Sequence, residues 1–257
     1  MPYVRRTVVA GSVRETKKMY TPRYGGKGKR GLTVSDTGEA QEKVNERKAE
    51  ERLRWKLNAN FGKDDLHAVL HYNDKPQDFW KVIEDKEKFL RVLRSECKKR
   101  GIALRYVATT ETKRMTNPHH HIILNDMDIH IVTAAWEKVT GGAGHASFKP
   151  LDGRGNHADL AAYLMKESKS TQKRLAEGGK NKKRFSCSTG LTMPVPKYEI
   201  IPSESWRKEP KAKKGYELYK FKDGETCRMG FHEVSGYMYL EYWEVERPRP
   251  PERRRAS

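Results

Sequence analysis

The stretch T-N-P-H-H-H-I-I-L-N, residues 116–125, sets three imidazoles at the head of an apolar, β-branched run. Such a run reads as a strand, and side chains alternate faces along a strand. His119 and His121 therefore share one face, and His120 takes the other. Two imidazoles one strand step apart on one face can chelate a divalent cation. L-R-Y-V-A-T-T-E-T, residues 104–112, reads as the preceding strand, and K-R-M-T-N-P as the loop of a hairpin. Glu111 lies eight residues before His119. If it pairs opposite His119 or His121, its carboxylate joins their face; a slip of one residue sets it opposite His120 instead. Two histidines and a carboxylate with open positions suit Mg²⁺ or Mn²⁺ bound to a phosphate oxygen. The competing reading is three histidines packed or hydrogen-bonded within a sheet. The paired spacing, with an acid in hairpin reach, favours the metal.

A second group lies in A-D-L-A-A-Y-L-M-K-E, residues 158–167, a run of good helix formers. Tyr163 and Lys166 are three apart, and Asp159 is four before Tyr163, so the three share a helix face. A lone tyrosine in an apolar helix is usually core. Burying a lysine and an aspartate on the same stripe costs several kcal/mol each unless they are paired, which makes this face wet and functional. Tyrosine can act as a covalent nucleophile where its phenolate is favoured.

These residues resemble a known family. P-H-H-H-I-I-L resembles the His-hydrophobic-His motif of HUH endonucleases, Y-L-M-K resembles their nucleophile helix, and Glu111 resembles their third metal ligand. The closest likeness is to rolling-circle replication initiators of phages and plasmids, of the filamentous-phage gene II type. R-L-R-W-K-L-N-A-N-F, residues 52–61, resembles that group's helix before the first strand, and K-R-F-S-C-S-T-G-L, residues 183–191, its basic stretch after the nucleophile helix. The resemblance covers roughly residues 50–195. The centre of the triplet is His120, where the family usually carries an apolar residue; the I-I-L that follows fits with His121 as the second ligand. Some relatives carry two tyrosines on the helix, and here Tyr163 alone can play that part.

The resemblance implies an α+β fold, a central antiparallel sheet flanked by helices in the ferredoxin or RRM manner. It implies metal-assisted attack by Tyr163 on single-stranded origin DNA, giving a 5′-phosphotyrosine link and a free 3′-hydroxyl that primes rolling-circle synthesis. A bound Mg²⁺ or Mn²⁺ would polarise the scissile phosphate. Lys166 would stabilise phenolate or phosphate charge, and Asp159 or Glu167 would serve a terminating water. The origin would be presented from a hairpin. Two rivals remain: a single-tyrosine transposase or mobilisation relaxase, and a basic DNA-binding protein without catalysis.

The rest of the chain supplies the elements that position these groups. A charged helix is expected from about Gly38 to Asn58, and D-D-L-H-A-V-L-H-Y-N (64–73) reads as a strand broken at Asp74–Pro76. A long helix with one apolar face follows from about Gln77 to Lys99, ended by Gly101, and a short helix is expected over 129–140. Residues 144–151 alternate as a strand, and residues 169–184 read as a Lys-rich linker. Beyond Lys197 come short aromatic strands, which either extend the main sheet or form a small β appendage. The expected organisation is a basic flexible arm over 1–36, a leading helix over 37–61, and the nicking domain over 62–195. A C-terminal β extension over 196–246 and a disordered Pro/Arg tail over 247–257 follow.

Composition agrees with a polyanionic partner. Lys and Arg number 53 against 34 Asp and Glu, a net charge of +19. Lys180, Lys182, Lys183 and Arg184, followed by Phe185, combine cations with an aromatic as a single-strand track requires, though such runs are commonly solvated linkers. No run of eighteen apolar residues is present, and the start is too weakly apolar for a signal peptide. Cys97, Cys187 and Cys227 read as reduced thiols of a cytoplasmic protein. The phosphate-binding loop G-x-x-x-x-G-K-[ST] is missing, so host helicase and polymerase would be supplied separately.

Overall fold

The computed structural model describes residues 3–21, 38–73, 78–153, 155–179, 183–202, 209–231 and 236–247. In chain order the elements are β1 (Tyr3–Ala10), β2 (Val13–Tyr20), α1 (Glu39–Asn60), β3 (Leu66–Tyr72), α2 (Phe79–Lys99), β4 (Tyr106–Glu111), β5 (His119–Leu124) and α3 (Ile129–Thr140). They continue with β6 (Gly144–Pro150), α4 (Ala158–Glu167), α5 (Lys169–Glu177), β7 (Ser186–Cys187), β8 (Lys197–Ile201), β9 (Tyr216–Leu218), β10 (Cys227–Phe231) and β11 (Met238–Glu246). The fold is α+β, with antiparallel sheets and flanking helices. Two compact units result, one of Glu46–Met193 and one of Met1–Asn45 with Pro194–Ser257.

The Glu46–Met193 unit holds a five-stranded sheet in the order β6-β3-β5-β4-β7. Alternation sorts its residues onto two cores. Ala68, Leu70, Tyr106, Ala108, Ile122 and Leu124 pack with Phe89, Leu90 and Leu93 of α2 and with Val132 and Trp136 of α3. On the opposite face, Val107 and Ile123 pack with Leu53 and Leu57 of α1 and with Ala161 and Leu164 of α4. Helices α2 and α3 each carry an apolar face at helical spacing and a capped N-terminus. The Asp78 carboxylate accepts from the Lys81 N–H at 2.9 Å at the start of α2. The Asp128 carboxylate does the same for His130 at the start of α3, at 2.9 Å. Gly141, at φ 65°, ends α3 in the left-handed region that favours glycine.

On the α2 side of the sheet His120 is fully buried within a polar chain. Its Nδ1 lies 2.9 Å from Thr110 Oγ1, and its Nε2 3.1 Å from the Tyr72 hydroxyl. Tyr72 donates in turn to Asp85 at 3.4 Å, and the Lys81 ammonium donates to the same carboxylate at 2.9 Å. Burial depresses the His120 pKa well below the ordinary histidine value and raises that of the Tyr72 phenol, so both are neutral.

Two expectations are corrected and one open alternative is decided. Residues 3–20 were expected in a flexible arm, yet they form the β1–β2 hairpin, with Ala10 opposite Val13 across a turn at Gly11, φ 58°. Val4, Val8, Ala10 and Val13 are buried, and the interleaved charges that suggested a solvated arm belong to strand faces. Arg14 pairs with Glu244 at 3.3 Å and Lys17 with Glu241 at 3.1 Å. Second, the expected linker over 169–184 contains helix α5. Thr171 of α5 is buried and donates to the Thr110 carbonyl at 2.6 Å, which pins the helix to β4. Third, of the two alternatives open for the C-terminal strands, extension of the β3–β7 sheet is not the one the chain adopts. These strands join the N-terminal hairpin in a second sheet of order β10-β11-β2-β1-β8, with β9 paired to β11. The rest of the expected arm, the break at Asp74–Pro76 and the Pro/Arg tail fall largely outside the described residues. Among the described residues no helix is long and apolar enough to cross a membrane. All three cysteines are free.

Packing around Gly144 at the start of β6 leaves no room for a side chain. A Cβ there would stand 2.5 Å from Trp136 Nε1, which donates to the His71 carbonyl at 2.8 Å. Gly144→Ala is expected to break that hydrogen bond and lower unfolding stability by about 1–3 kcal/mol, read from the denaturant midpoint.

Candidate metal centre

The β4–β5 hairpin pairs Glu111 directly with His119 and Thr109 with His121. Of the two registers the sequence allows, this is the one that puts the carboxylate on the face of His119 and His121. One ligand atom from each of Glu111, His119 and His121 lies within 4.8 Å of the others. Glu111 Oε2 and His119 Nε2 are 3.1 Å apart. His121 is buried, while Glu111 and His119 are half-buried and open on one side.

The second ring nitrogen of His121 is also engaged. His67 of β3 brings its Nε2 to 3.1 Å from His121 Nδ1, leaving His121 Nε2 turned toward α4. Burial lowers the pKa of His121 to about 3 and that of His67 to about 4. Both rings are therefore neutral and have lone pairs to offer at physiological pH. One further cross-strand line continues past the centre: His119 faces His71 on β3, and His71 faces His145 on β6. The His71 and His145 rings stack at 4.9 Å, and His145 Nδ1 is 2.6 Å from Asn73 Oδ1.

Helix α4 lies over this face because Ala161 and Leu164 are buried in the core beside Ile123. Tyr163, on the same helix, remains 42% exposed. Its hydroxyl stands 3.4 Å from His121 Nε2. One turn later Glu167 hydrogen-bonds the Glu111 carboxyl. Burial, reinforced by Glu167, raises the Glu111 pKa to about 7. Burial also raises the Tyr163 pKa, with Glu167 and Glu111 adding to the shift. The site thus gathers a carboxyl and a phenol that each resist ionising, with Glu167 beside both. A cation held by Glu111, His119 and His121 would relieve that crowding, so the donor set fits a metal ion.

Of the residues singled out in the sequence, Glu111, His119, His121 and Tyr163 come together. Lys166 and Asp159 are exposed on α4, and Glu167 is the α4 acid that meets Glu111. Lys183 is exposed, whereas the Arg184 guanidinium is held by Gln172 and Glu46, each at 2.5 Å. Phe185 packs against the α1–α4 core. Lys180 and Lys182 lie outside the described residues. Sequence reading missed His67, His71 and His145, and it offered Glu167 only as an alternative to Asp159, not as a partner of Glu111. The even spacing of His67 and His71 within one strand, and the step of four from Tyr163 to Glu167, were the available signals.

An antiparallel sheet presenting two histidines and a carboxylate beneath a tyrosine-bearing helix defines a class of candidate nucleic-acid-processing centre. The family model described as replication-associated protein ORF2/G2P matches residues 65–171, from the start of β3 into α5, and that stretch holds all four residues. The resemblance to gene II-type replication proteins is thereby shown for this segment. Neither the comparison with curated proteins nor that with solved structures gave a match.

Metal binding is expected to report the site's proton balance. Ionising Glu111 is opposed up to about pH 7, so cation binding must release a proton below that pH. Titration calorimetry with Mn²⁺ should show affinity falling by about tenfold per pH unit from pH 7 to 5.5. In the metal-free protein the dependence runs the other way: burial favours the protonated Glu111 carboxyl in the fold, a contribution fully present below the ordinary carboxyl pKa and lost as pH rises through about 7. His67→Ala, which frees the His121 ring, should weaken Mn²⁺ binding by about 10- to 100-fold. A pH-independent affinity would contradict this assignment.

Proposed function

We propose that the protein is a replication initiator that nicks single-stranded DNA at an origin. The observation that carries this reading is the Tyr163 hydroxyl at 3.4 Å from His121 Nε2, beside the Glu111–His119–His121 cluster. A nucleophile and a phosphate-orienting group then converge on one point, which in-line attack on a phosphodiester requires.

Glu111, His119 and His121 would hold Mg²⁺ or Mn²⁺. When bound, the metal would polarise a non-bridging phosphate oxygen and offset the charge that keeps the phenol protonated. Tyr163 Oη forms a bond to phosphorus while the bond from phosphorus to the 3′-oxygen breaks. The phenol proton passes to a neighbouring acceptor, for which Glu167 is placed one turn away, and the departing 3′-oxygen takes up a proton. The products are a 5′-phosphotyrosine and a 3′-hydroxyl able to prime synthesis. His67 acts as a positioning residue by holding the His121 ring. Lys166, exposed on the α4 stripe that bears Tyr163, is assigned to phosphate charge, and Asp159 to a terminating water. The substrate is single-stranded origin DNA presented from a hairpin, with helicase and polymerase supplied by the host. The family matched by residues 65–171 supports a role in DNA replication.

The test uses labelled single strands from the DNA flanking the gene, Mn²⁺, and a denaturing gel. A covalent protein–DNA adduct is expected with the native chain, and Tyr163→Phe should lose it by about a thousandfold or more. His119→Ala should lose it as well while leaving the unfolding midpoint nearly unchanged. An undiminished adduct in Tyr163→Phe, or none on any strand with the native chain, would overturn the reading.

A further inference from the structure

Next to the metal centre the outer edge of β4 is only partly covered. β7 pairs with β4 at Val107 and Ala108 alone, and beyond them a cleft of about 440 Å³ opens. It is walled by α2, α5 and residues 183–186. Two of its lining residues are chain neighbours of the centre: Thr110 precedes Glu111, and Ser168 follows Glu167. The cleft thus opens at the same strand end and helix end that carry Glu111 and Glu167.

The lining contains groups that no protein partner satisfies. Thr109 is 2% exposed, yet its Oγ1 has no hydrogen-bond partner. Ser186 Oγ is buried and lacks one as well. Buried hydroxyls are nearly always paired, and unpaired ones at a cleft wall fit a ligand that supplies the missing partner. Two aromatic rings also line the cleft, Trp80 and Phe185. Trp80 is 44% exposed, and its indole is seated against Gly178, where a Cβ would approach it to 2.7 Å. The ring is thus held in place with a face uncovered. Most charges around the rim are held in ion pairs, Glu87 with Lys86 at 2.9 Å, Glu84 with Lys88 at 3.0 Å and Arg184 with Glu46 at 2.5 Å, with the exposed Lys183 at the edge. A phosphate would meet no concentrated positive charge inside, whereas an uncharged base would find stacking faces and hydroxyls.

We propose that this cleft takes one unpaired base of the single strand beside the scissile bond, with Trp80 and Phe185 as stacking faces and the Thr109 and Ser186 hydroxyls as hydrogen-bond partners. The proposal rests on the nicking function and makes the cleft a determinant of which sequence is cut.

The test uses the full chain carrying Tyr163→Phe, without metal, so that no strand is cut and failure of the nicking chemistry does not affect the readout. A fluorescein-labelled 20-mer of randomised single-stranded sequence is titrated and followed by anisotropy. Trp80→Leu should weaken binding by about tenfold, the typical effect of losing one stacked base. Thr109→Val with Ser186→Ala should weaken binding without lowering the unfolding midpoint, because each change removes an unpaired hydroxyl rather than a structural bond. Photocrosslinking with 5-iodouracil in the same pool should mark peptides containing Trp80 or Phe185. Affinities within about twofold of the parent in both variants, or crosslinks confined to the β3–β6 face, would overturn the proposal. So would failure of the 20-mer to bind.

Discussion

The centre depends on one constraint, the antiparallel register that sets Glu111 opposite His119. A sheet has a side-chain period of two, so a slip of one residue would carry the carboxylate to the α2 face and set it against His120. The register is not held by the polar residues it serves. Val107 and Ile123 pair across the same hairpin and are buried with Leu53, Leu57 and Leu164, while Ala108 and Ile122 pair toward Phe89 and Leu93. Moving either strand by one residue would exchange these sets between two differently shaped cores. Apolar packing along the hairpin thus fixes the positions of the three ligand atoms at its end.

The same two-sidedness divides the histidine triplet by role. His119 and His121 face α4 and lie among groups that could share a cation. His120 faces α2 and is spent on structure, bridging Thr110 and Tyr72 in a chain that ends at Lys81. A leucine there would leave Thr110 Oγ1 without its His120 partner. The departure from the usual apolar centre is therefore explained by Tyr72 and Asp85, residues of two other elements. Toward α4, His67 extends the centre by one ring and Glu167 by one acid, and burial keeps the His121 and His67 rings neutral and favours the protonated Glu111 carboxyl in the metal-free protein.

Much of this could be read from residue order alone. The triplet's alternation, the distance from Glu111 to His119 and the helix of Tyr163 identified the cluster, because strand and helix periods decide which neighbours share a face. The elements from β3 to α4 followed from apolar periodicity and from the punctuation at Asp74–Pro76 and Gly101. What escaped was non-local. Nothing near Val4 or Val13 announces that the hairpin they build will pair with strands more than 170 residues away. Its alternating charges resemble a solvated arm until Glu241 and Glu244 are placed opposite. Helix α5 was concealed by its lysines, and its anchor, Thr171 on the Thr110 carbonyl, is a tertiary contact. His67 and Glu167 join the centre only because β3 lies beside β5 and α4 crosses above them.

The central claim is that Glu111, His119 and His121 share one cation beside the Tyr163 hydroxyl. Anomalous diffraction at the manganese edge, from crystals grown with Mn²⁺, tests it most directly. A single strong peak within bonding distance of these three side chains, with the tyrosine hydroxyl facing it, is the predicted result. A peak ligated by His71 and His145 instead, or a manganese-soaked centre still closed by the Glu111–Glu167 hydrogen bond, would contradict it.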